Sequence, residues 1–457
     1  MLFSSVEFLF VFLPFTVAVY FLCPKKLKNV WLLAASLLFY GFGEPVYLFL
    51  MLLTIAVDYT LGLLIERSKR RKRLLLVLGI ISNISLLAFF KYFDMLIGVL
   101  GASPLGLALP IGISFYIFQA TSYIIDVYRK EVSASHSLIN FGTYVSLFPQ
   151  LIAGPIVKYR DIDKELTKRE HRLSDISMGI SLFCVGLAKK ALLANPAGEL
   201  YEDLIFSRTD PASLWLGLVL FAFQIYYDFS GYSDMAVGLG GIFGFSFPRN
   251  FNYPYVSKSI TEFWRRWHMT LSSWFREYVY IPLGGNRHGK TRTFINLFAV
   301  WSLTGLWHGA SWNFLIWGIY FFILLVIEKS FLLKRLEKAP KAVGHIYALF
   351  FILLGWLIFS ADRGAGEFIL LSKNLFGFGG SAFFGSSFAY DLLRNFPFLI
   401  LMTLGATPLP KRTAERFSTK TPRVFSAVRN ILCLASIILS TAYIVSADYN
   451  PFLYFRF

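Results

Sequence analysis

The sequence predicts an all-α integral membrane protein of about 11–12 transmembrane helices, with re-entrant segments and a cytoplasmic layer of amphipathic helices. Three observations carry this. Hydrophobic residues make up 56% of the 457 and charged residues only 16%, whereas a soluble domain carries about 25% charged residues to face water. The apolar residues fall in successive runs separated by short basic clusters. Several runs are interrupted by Pro and Gly, or fall short of the roughly 20 residues of a straight crossing. Disorder, a repeat solenoid and a secreted disulfide scaffold are excluded by the same composition. Cys23, Cys184 and Cys433 lie in apolar runs without CxxC or zinc spacing, and no metal site is expected.

A net charge of +17 would suggest nucleic acid as the partner of a soluble protein. In a membrane protein Lys and Arg accumulate in cytoplasmic loops and orient the helices. No stacking platform or groove-reading motif accompanies the charge, so no nucleic acid is expected.

The elements follow in order. Val6–Leu22 is apolar with no basic residue before it, unlike a signal peptide; Lys25, Lys26 and Lys28 follow it instead. It reads as a retained crossing with the N-terminus outside. Trp31–Tyr40 and Pro45–Ile65 return the chain to the same side at the basic cluster Arg67–Arg73. Leu74–Phe90 leaves, and Leu107–Val127 comes back to Arg129 and Lys130. Leu138–Val157 lies between two positive segments, and Pro149, Gly154 and Pro155 break any single helix there. A re-entrant hairpin fits, because irregular backbone at membrane depth must be buried in protein or line a cavity. Met178–Ala194 leaves and Leu214–Val237 returns, with Lys189 and Lys190 unusually deep. Arg249–Arg292 is too charged to cross and reads as an interfacial layer carrying Trp264, Trp267 and Trp274. Phe294–Trp307, Trp312–Ile327, Ile346–Phe359, Phe396–Leu404 and Asn430–Val445 complete the crossings, with Arg363–Ser387 as an external loop. Both termini are placed outside, and residues 1–457 form one polytopic domain.

Of six histidines, His136, His171 and His345 sit in polar or basic surroundings, and His288 lies in the turn-rich Gly284–Gly289. All four read as solvated or structural. His308 lies in Leu306–Phe314, wedged between two apolar spans. An ionisable group at that depth points to function, and a neutral imidazole there can take a proton from a hydroxyl. The residues leave a satisfied core histidine equally open. Its neighbours Trp307 and Asn313 are candidate substrate-binding residues. His268 lies in Phe263–Leu271 beside Arg265 and Arg266, whose guanidinium groups suit phosphate; a helix anchored to lipid heads is the plainer alternative. In Gln224–Asp234, Asp228 and Asp234 are six residues apart, and Ser230-Gly231 is expected to bend the helix between them. A structural Asp–Arg pair is favoured there over a proton carrier or a cation ligand. No P-loop, Rossmann fingerprint, GxSxG or HExxH occurs.

Together these blocks resemble the membrane-bound O-acyltransferases, within them the bacterial branch of alginate O-acetyltransferases and teichoic-acid D-alanyl transfer proteins. The likeness runs through Met1–Ser5, Pro149–Pro155, Gln224–Asp234, Pro248–Pro254, Phe263–Leu271, Ile281–Asn286 and Trp307–Trp312. Ile281–Asn286 and the length favour the alginate subgroup. Many relatives continue after Trp317-Gly318 with a Tyr-His pair, where this chain has Tyr320-Phe321.

The resemblance implies that His308 is the family's essential histidine and that His268 lies on the cytoplasmic approach to the same tunnel. It implies a funnel on the outer face of a bacterial plasma-membrane protein. No bound cofactor is expected; acetyl-CoA, or the phosphopantetheine thioester of an acyl carrier protein, is the donor substrate. The expected partners are membrane lipid, that donor protein, and either an exported polysaccharide or an SGNH-type extracytoplasmic transferase. Asp228, Asp234 and Ser230 would support the site. A polysaccharide or small-molecule transporter is the alternative of another class, motivated by the broken helices and the two aspartates, although no inverted repeat is found. Acyl transfer to lipid or protein, D-alanyl transfer included, would use the same histidine.

Overall fold

The computed structural model describes residues 1–101, 103–361, 364–447 and 452–453. Among them there are helices and connecting turns but no strand. Seven helices are long and apolar enough to cross a membrane: Leu48–Arg67, Lys72–Val99, Leu173–Ser207, Pro211–Phe243, Trp312–Lys338, Lys341–Phe359 and Pro422–Ser446. An eighth crossing arises if Phe388–Gly405 and Leu409–Lys420, bent by 65°, act as one. The all-helical membrane class is as predicted; among the described residues seven to eight helices have the length and apolarity of a full crossing, where about 11–12 crossings are expected.

The shortfall has a physical reason. Several segments expected to cross fall on helices of other character, such as Lys28–Gly43 with 16 residues and Ile113–Arg129 with 17. Every residue from Ile113 to Ile124 is buried. A helix covered by protein along this stretch, polar Ser114, Gln119 and Ser122 included, has no bilayer thickness to match. Pro422–Ser446 is the opposite case, burying Ser440 while Ile431 and Leu434 stand exposed, as a lipid-facing helix does.

The chain divides into two compact units. The first is Met1–Gly186 with Tyr232–Arg249; the second is Leu187–Gly231 with Asn250–Phe457. In the first, Leu48–Arg67, Lys72–Val99 and Ile113–Arg129 pack on one another, and Lys28–Gly43 packs on Leu138–Ser146. Asn83 donates to Asp58 at 3.0 Å across the helix pair, satisfying part of a buried carboxyl group. Leu138–Val157 is broken as expected: helix Leu138–Ser146 ends at extended Leu147, one short turn follows at Phe148–Leu151, and the rest is irregular. All of 141–157 is buried, the condition under which such backbone survives at membrane depth. Arg363 lies outside the described residues, and the rest of the expected Arg363–Ser387 loop contains the helix Ala365–Leu375.

Pro211–Phe243 is one continuous helix through Ser230-Gly231. Glycine lowers helix propensity by about 1 kcal/mol relative to alanine but keeps its backbone donor, unlike proline.

In the second unit, 250–292 breaks into short turns at Pro254–Val256, Ile260–Trp264, Met269–Phe275 and Arg276–Tyr280. The expected lipid-anchoring role of its tryptophans is not what the structure shows. Trp264, Trp267 and Trp274 are all buried. Trp264 meets Trp301 edge-on at 4.7 Å and Phe321 at 4.9 Å, and Trp267 lies 4.8 Å from Trp356. Large aromatic surface is better covered by other rings than by the headgroup region when the two are both within reach.

The helices Gly289–His308 and Trp312–Ile327 form a tight hairpin with His308 at its turn. Two glycines permit it. A Cβ on Gly305 would collide with the carbonyl oxygen of Phe314, and one on Gly318 with that of Trp301 while lying 3.3 Å from the Gly305 Cα. Main chain thus packs on main chain, as small residues allow between membrane helices. Gly318→Leu is expected to destabilise the protein by about 1–3 kcal/mol, the usual cost of overpacking. A thermal melt in detergent checks this, and an unchanged midpoint would show that the hairpin spreads freely.

Candidate active site

His308 ends its helix, and Gly309 continues in extended backbone toward Ser311. Gly309 is required by space: a Cβ there would collide with the Phe314 ring. The imidazole is 7% exposed and walled by rings, Trp317 at 5.0 Å, Trp307 at 5.1 Å and Phe359 at 5.3 Å. Asn313 opens the following helix and donates through Nδ2 to the Phe359 carbonyl at 3.1 Å. It therefore ties the hairpin to the end of Lys341–Phe359, a structural duty the sequence did not suggest.

His268 is buried at the start of Met269–Phe275 with a left-handed backbone, φ 43°. Such a conformation is uncommon outside glycine and is held here by the surroundings. Its Nδ1 lies 3.0 Å from Asn250 Oδ1, which also accepts from the Thr270 amide at 3.2 Å and the Thr270 hydroxyl at 2.9 Å. A carbonyl oxygen only accepts, so Nδ1 must carry the proton and Nε2 keeps a lone pair. That Nε2 is buried without a hydrogen-bond partner among the described residues. Burial pushes the imidazole pKa down, fixing the neutral form. The two histidines both contact one residue: Trp307 is 5.7 Å from His268 and 5.1 Å from His308, ring to ring.

A cavity of about 20 Å³ borders His308 and is lined also by Asp228, Trp267, Trp317, Phe359 and Leu453. That is room for about one water molecule. The larger recess of about 60 Å³, walled by Glu202, Phe206, Glu367 and Phe368, shares Leu453 with it.

Asp228 does pair with a cation, but with lysine rather than the expected arginine. Lys190 Nζ stands 2.8 Å from Asp228 Oδ1, with both side chains under 5% exposed. The Leu453 amide donates to the other carboxylate oxygen at 2.9 Å. Lys190 reaches this position from the π-helical stretch Lys189–Ala194, where the wider turn re-aims the side chain. Ser230 is buried nearby in sequence, its hydroxyl without a partner among the described residues. Asp234 belongs to the other unit and is half-buried.

The arginines divide. Arg265 is exposed. Arg266 is engaged by Glu262 at 2.9 Å and by the Asn252 carbonyl at 3.1 Å. Sequence reasoning missed Asn250, although it lies inside the quoted Pro248–Pro254 block, and gave no sign of Leu453. The depth of Lys190 was visible, but its partner was not. Among the described residues no group of three His, Cys, Asp or Glu could hold a metal ion.

The model of the membrane-bound O-acyltransferase family matches residues 16–364. A probable alginate O-acetylase AlgI of Azotobacter vinelandii is 41% identical over 382 residues, covering 79% of this chain and 76% of that protein. Its counterpart in Pseudomonas putida is 37% identical over the whole of both chains. A peptidoglycan O-acetyltransferase of Helicobacter pylori is 36% identical over 79% of this chain and 77% of its own. With that match and these buried histidines together, the chain is a member of the membrane-bound O-acyltransferase family and an acyltransferase.

Proposed function

We propose that this enzyme moves an acetyl group from a cytoplasmic thioester across the membrane to a hydroxyl outside. The observation that carries the reading is the pair of buried imidazoles that both contact Trp307, with a cavity of one-water size at His308. The donor is acetyl-CoA or the phosphopantetheine arm of an acyl carrier. The acceptor is a sugar hydroxyl of an exported polysaccharide, or a serine of an SGNH-type partner that passes the acetyl onward. Relatives named for alginate and peptidoglycan O-acetylation support the polysaccharide destination.

In this mechanism His308 takes the proton of the acceptor hydroxyl as its oxygen attacks the thioester carbonyl. The tetrahedral intermediate collapses with loss of the thiolate, and the proton returns from His308 to give free thiol. His268 cannot supply that proton, because its Nε2 is unprotonated. It serves instead as an acceptor, suited to an amide N–H of the pantetheine arm. Exposed Arg265 remains available to a phosphate, whereas Arg266 is committed to Glu262. The aromatic wall excludes water that would hydrolyse the thioester, and holding both reactants supplies much of the acceleration.

Membranes containing the enzyme, incubated with radiolabelled acetyl-CoA, should pass label to the polymer or to the extracytoplasmic partner protein. Label in neither fraction would overturn the reading.

A further inference from the structure

The first unit carries a concentration of positive charge that the acyl-transfer site does not use. Lys25 and Lys28 lie where Leu13–Leu22 gives way to Lys28–Gly43, and Arg169 and His171 lie in the segment before Leu173. Lys28 Nζ sits 4.4 Å over the Tyr20 ring and 5.2 Å over Phe21. The Arg169 guanidinium sits 4.4 Å over Phe245, and its Nη2 donates to the amide oxygen of Asn29. Its other terminal nitrogen, Nη1, is buried with no hydrogen-bond partner among the described residues.

Two acids lie nearby. Glu165 accepts from the Ser246 amide at 2.9 Å, and Glu170 pairs with Arg172 at 2.8 Å. Lys25, Lys28 and Arg169 form no ion pair among the described residues. The Tyr20 hydroxyl donates to the Phe243 carbonyl at 2.8 Å, so its contact with His171 Nε2, also 2.8 Å, requires His171 to donate. Burial, with Lys28 and Arg169 alongside, pushes the His171 pKa down. Lys25, Lys28 and Arg169 thus gather around Tyr20 with Glu165 as the one carboxylate acting on Arg169, which leaves the cluster with a net positive charge.

We infer that this cluster binds the phosphate of an anionic phospholipid headgroup. Arg169 Nη1 and Lys28 Nζ supply the donors, as charged nitrogens do for phosphate oxygens. The apolar surface beside them argues for a lipid and against a soluble phosphate. Phe15 is 59% exposed, Phe21 41% and Leu22 84%, on the helix Leu13–Leu22 that leads to the cluster, and they offer a path for acyl chains. A free phosphate would leave that surface uncovered.

The test uses the full chain in nanodiscs of phosphatidylcholine containing a minor fraction of phosphatidylglycerol, with retained lipid counted by native mass spectrometry. The wild type should retain phosphatidylglycerol selectively. Lys28→Gln/Arg169→Gln should lower that retention at least about tenfold, as expected of two basic groups at an anionic surface. Lys28→Gln alone should lower it partly, which keeps the test open if the double variant fails to fold. Arg172→Gln, exposed and already paired with Glu170, should keep the lipid, and excess inorganic phosphate should not displace it. Equal retention by wild type and double variant, equal loss in Arg172→Gln, or displacement by inorganic phosphate would each overturn the assignment.

Discussion

Replacing His308 with alanine is expected to abolish acetyl transfer while leaving expression and membrane insertion intact. His308 is the imidazole that lines the cavity, whereas Lys190 and Asp228 are committed to each other and Nδ1 of His268 to Asn250. Removing a general base typically costs 10²–10⁴ in rate. Here the loss should be at the upper end, because the ring-lined wall admits little water to replace it. His308→Gln separates chemistry from shape: it fills much of the same space but cannot accept and return a proton at neutral pH. Ester content of the exported polymer is the readout for both variants. Undiminished ester in His308→Ala would sink the assignment, and full activity in His308→Gln would recast His308 as a packing residue.

The second large effect is expected at Lys190. Lys190→Met should destabilise the protein by about 3–5 kcal/mol, because Asp228 would then hold an uncompensated charge in a buried site. The comparison that identifies the cause is Lys190→Met/Asp228→Asn. It removes both charges while keeping an oxygen to accept from the Leu453 amide, and should recover most of the lost stability. Thermal melts of the purified variants decide. A double variant no better than Lys190→Met alone would show that the lysine acts through its packing and not through its charge.

Much of the fold could be read from residue types. Leu48–Arg67, Lys72–Val99 and Pro422–Ser446 announce themselves by long apolar runs between basic clusters, since lipid selects for both. The break at 147–157 was legible because proline removes a donor wherever it stands. What composition could not convey is whether an apolar helix meets lipid or protein. Ile113–Arg129 and the tryptophans of 249–292 were therefore assigned to the bilayer although the structure buries them. At Ser230-Gly231 the helix stays continuous, because glycine weakens a helix without removing its backbone donor.

The candidate site divides in the same way. His308 and His268 were visible because an imidazole in apolar or aromatic sequence is costly to keep without a purpose. Their association through Trp307 follows partly from chain proximity, and Asn250 acts on His268 across 18 residues through a single carbonyl oxygen. Lys190 and Asp228 are separated by 38 positions, by subtraction of their numbers, and pair only because two helices are brought side by side. Local patterns report which side chains are unusual; they do not report which of them meet.

The glycine-to-backbone packing of the hairpin has an evolutionary consequence. Where two helices touch through main-chain atoms, their spacing does not depend on the size of the residues around them. The outward positions Leu303, Ile316 and Ile323 are exposed and are free to drift with the lipid of the host. The position of His308 need not drift with them. Such a scaffold can adapt to membranes of different composition while its chemistry stays fixed, and selection should act far more strongly on Gly305 and Gly318 than on the bulkier residues beside them.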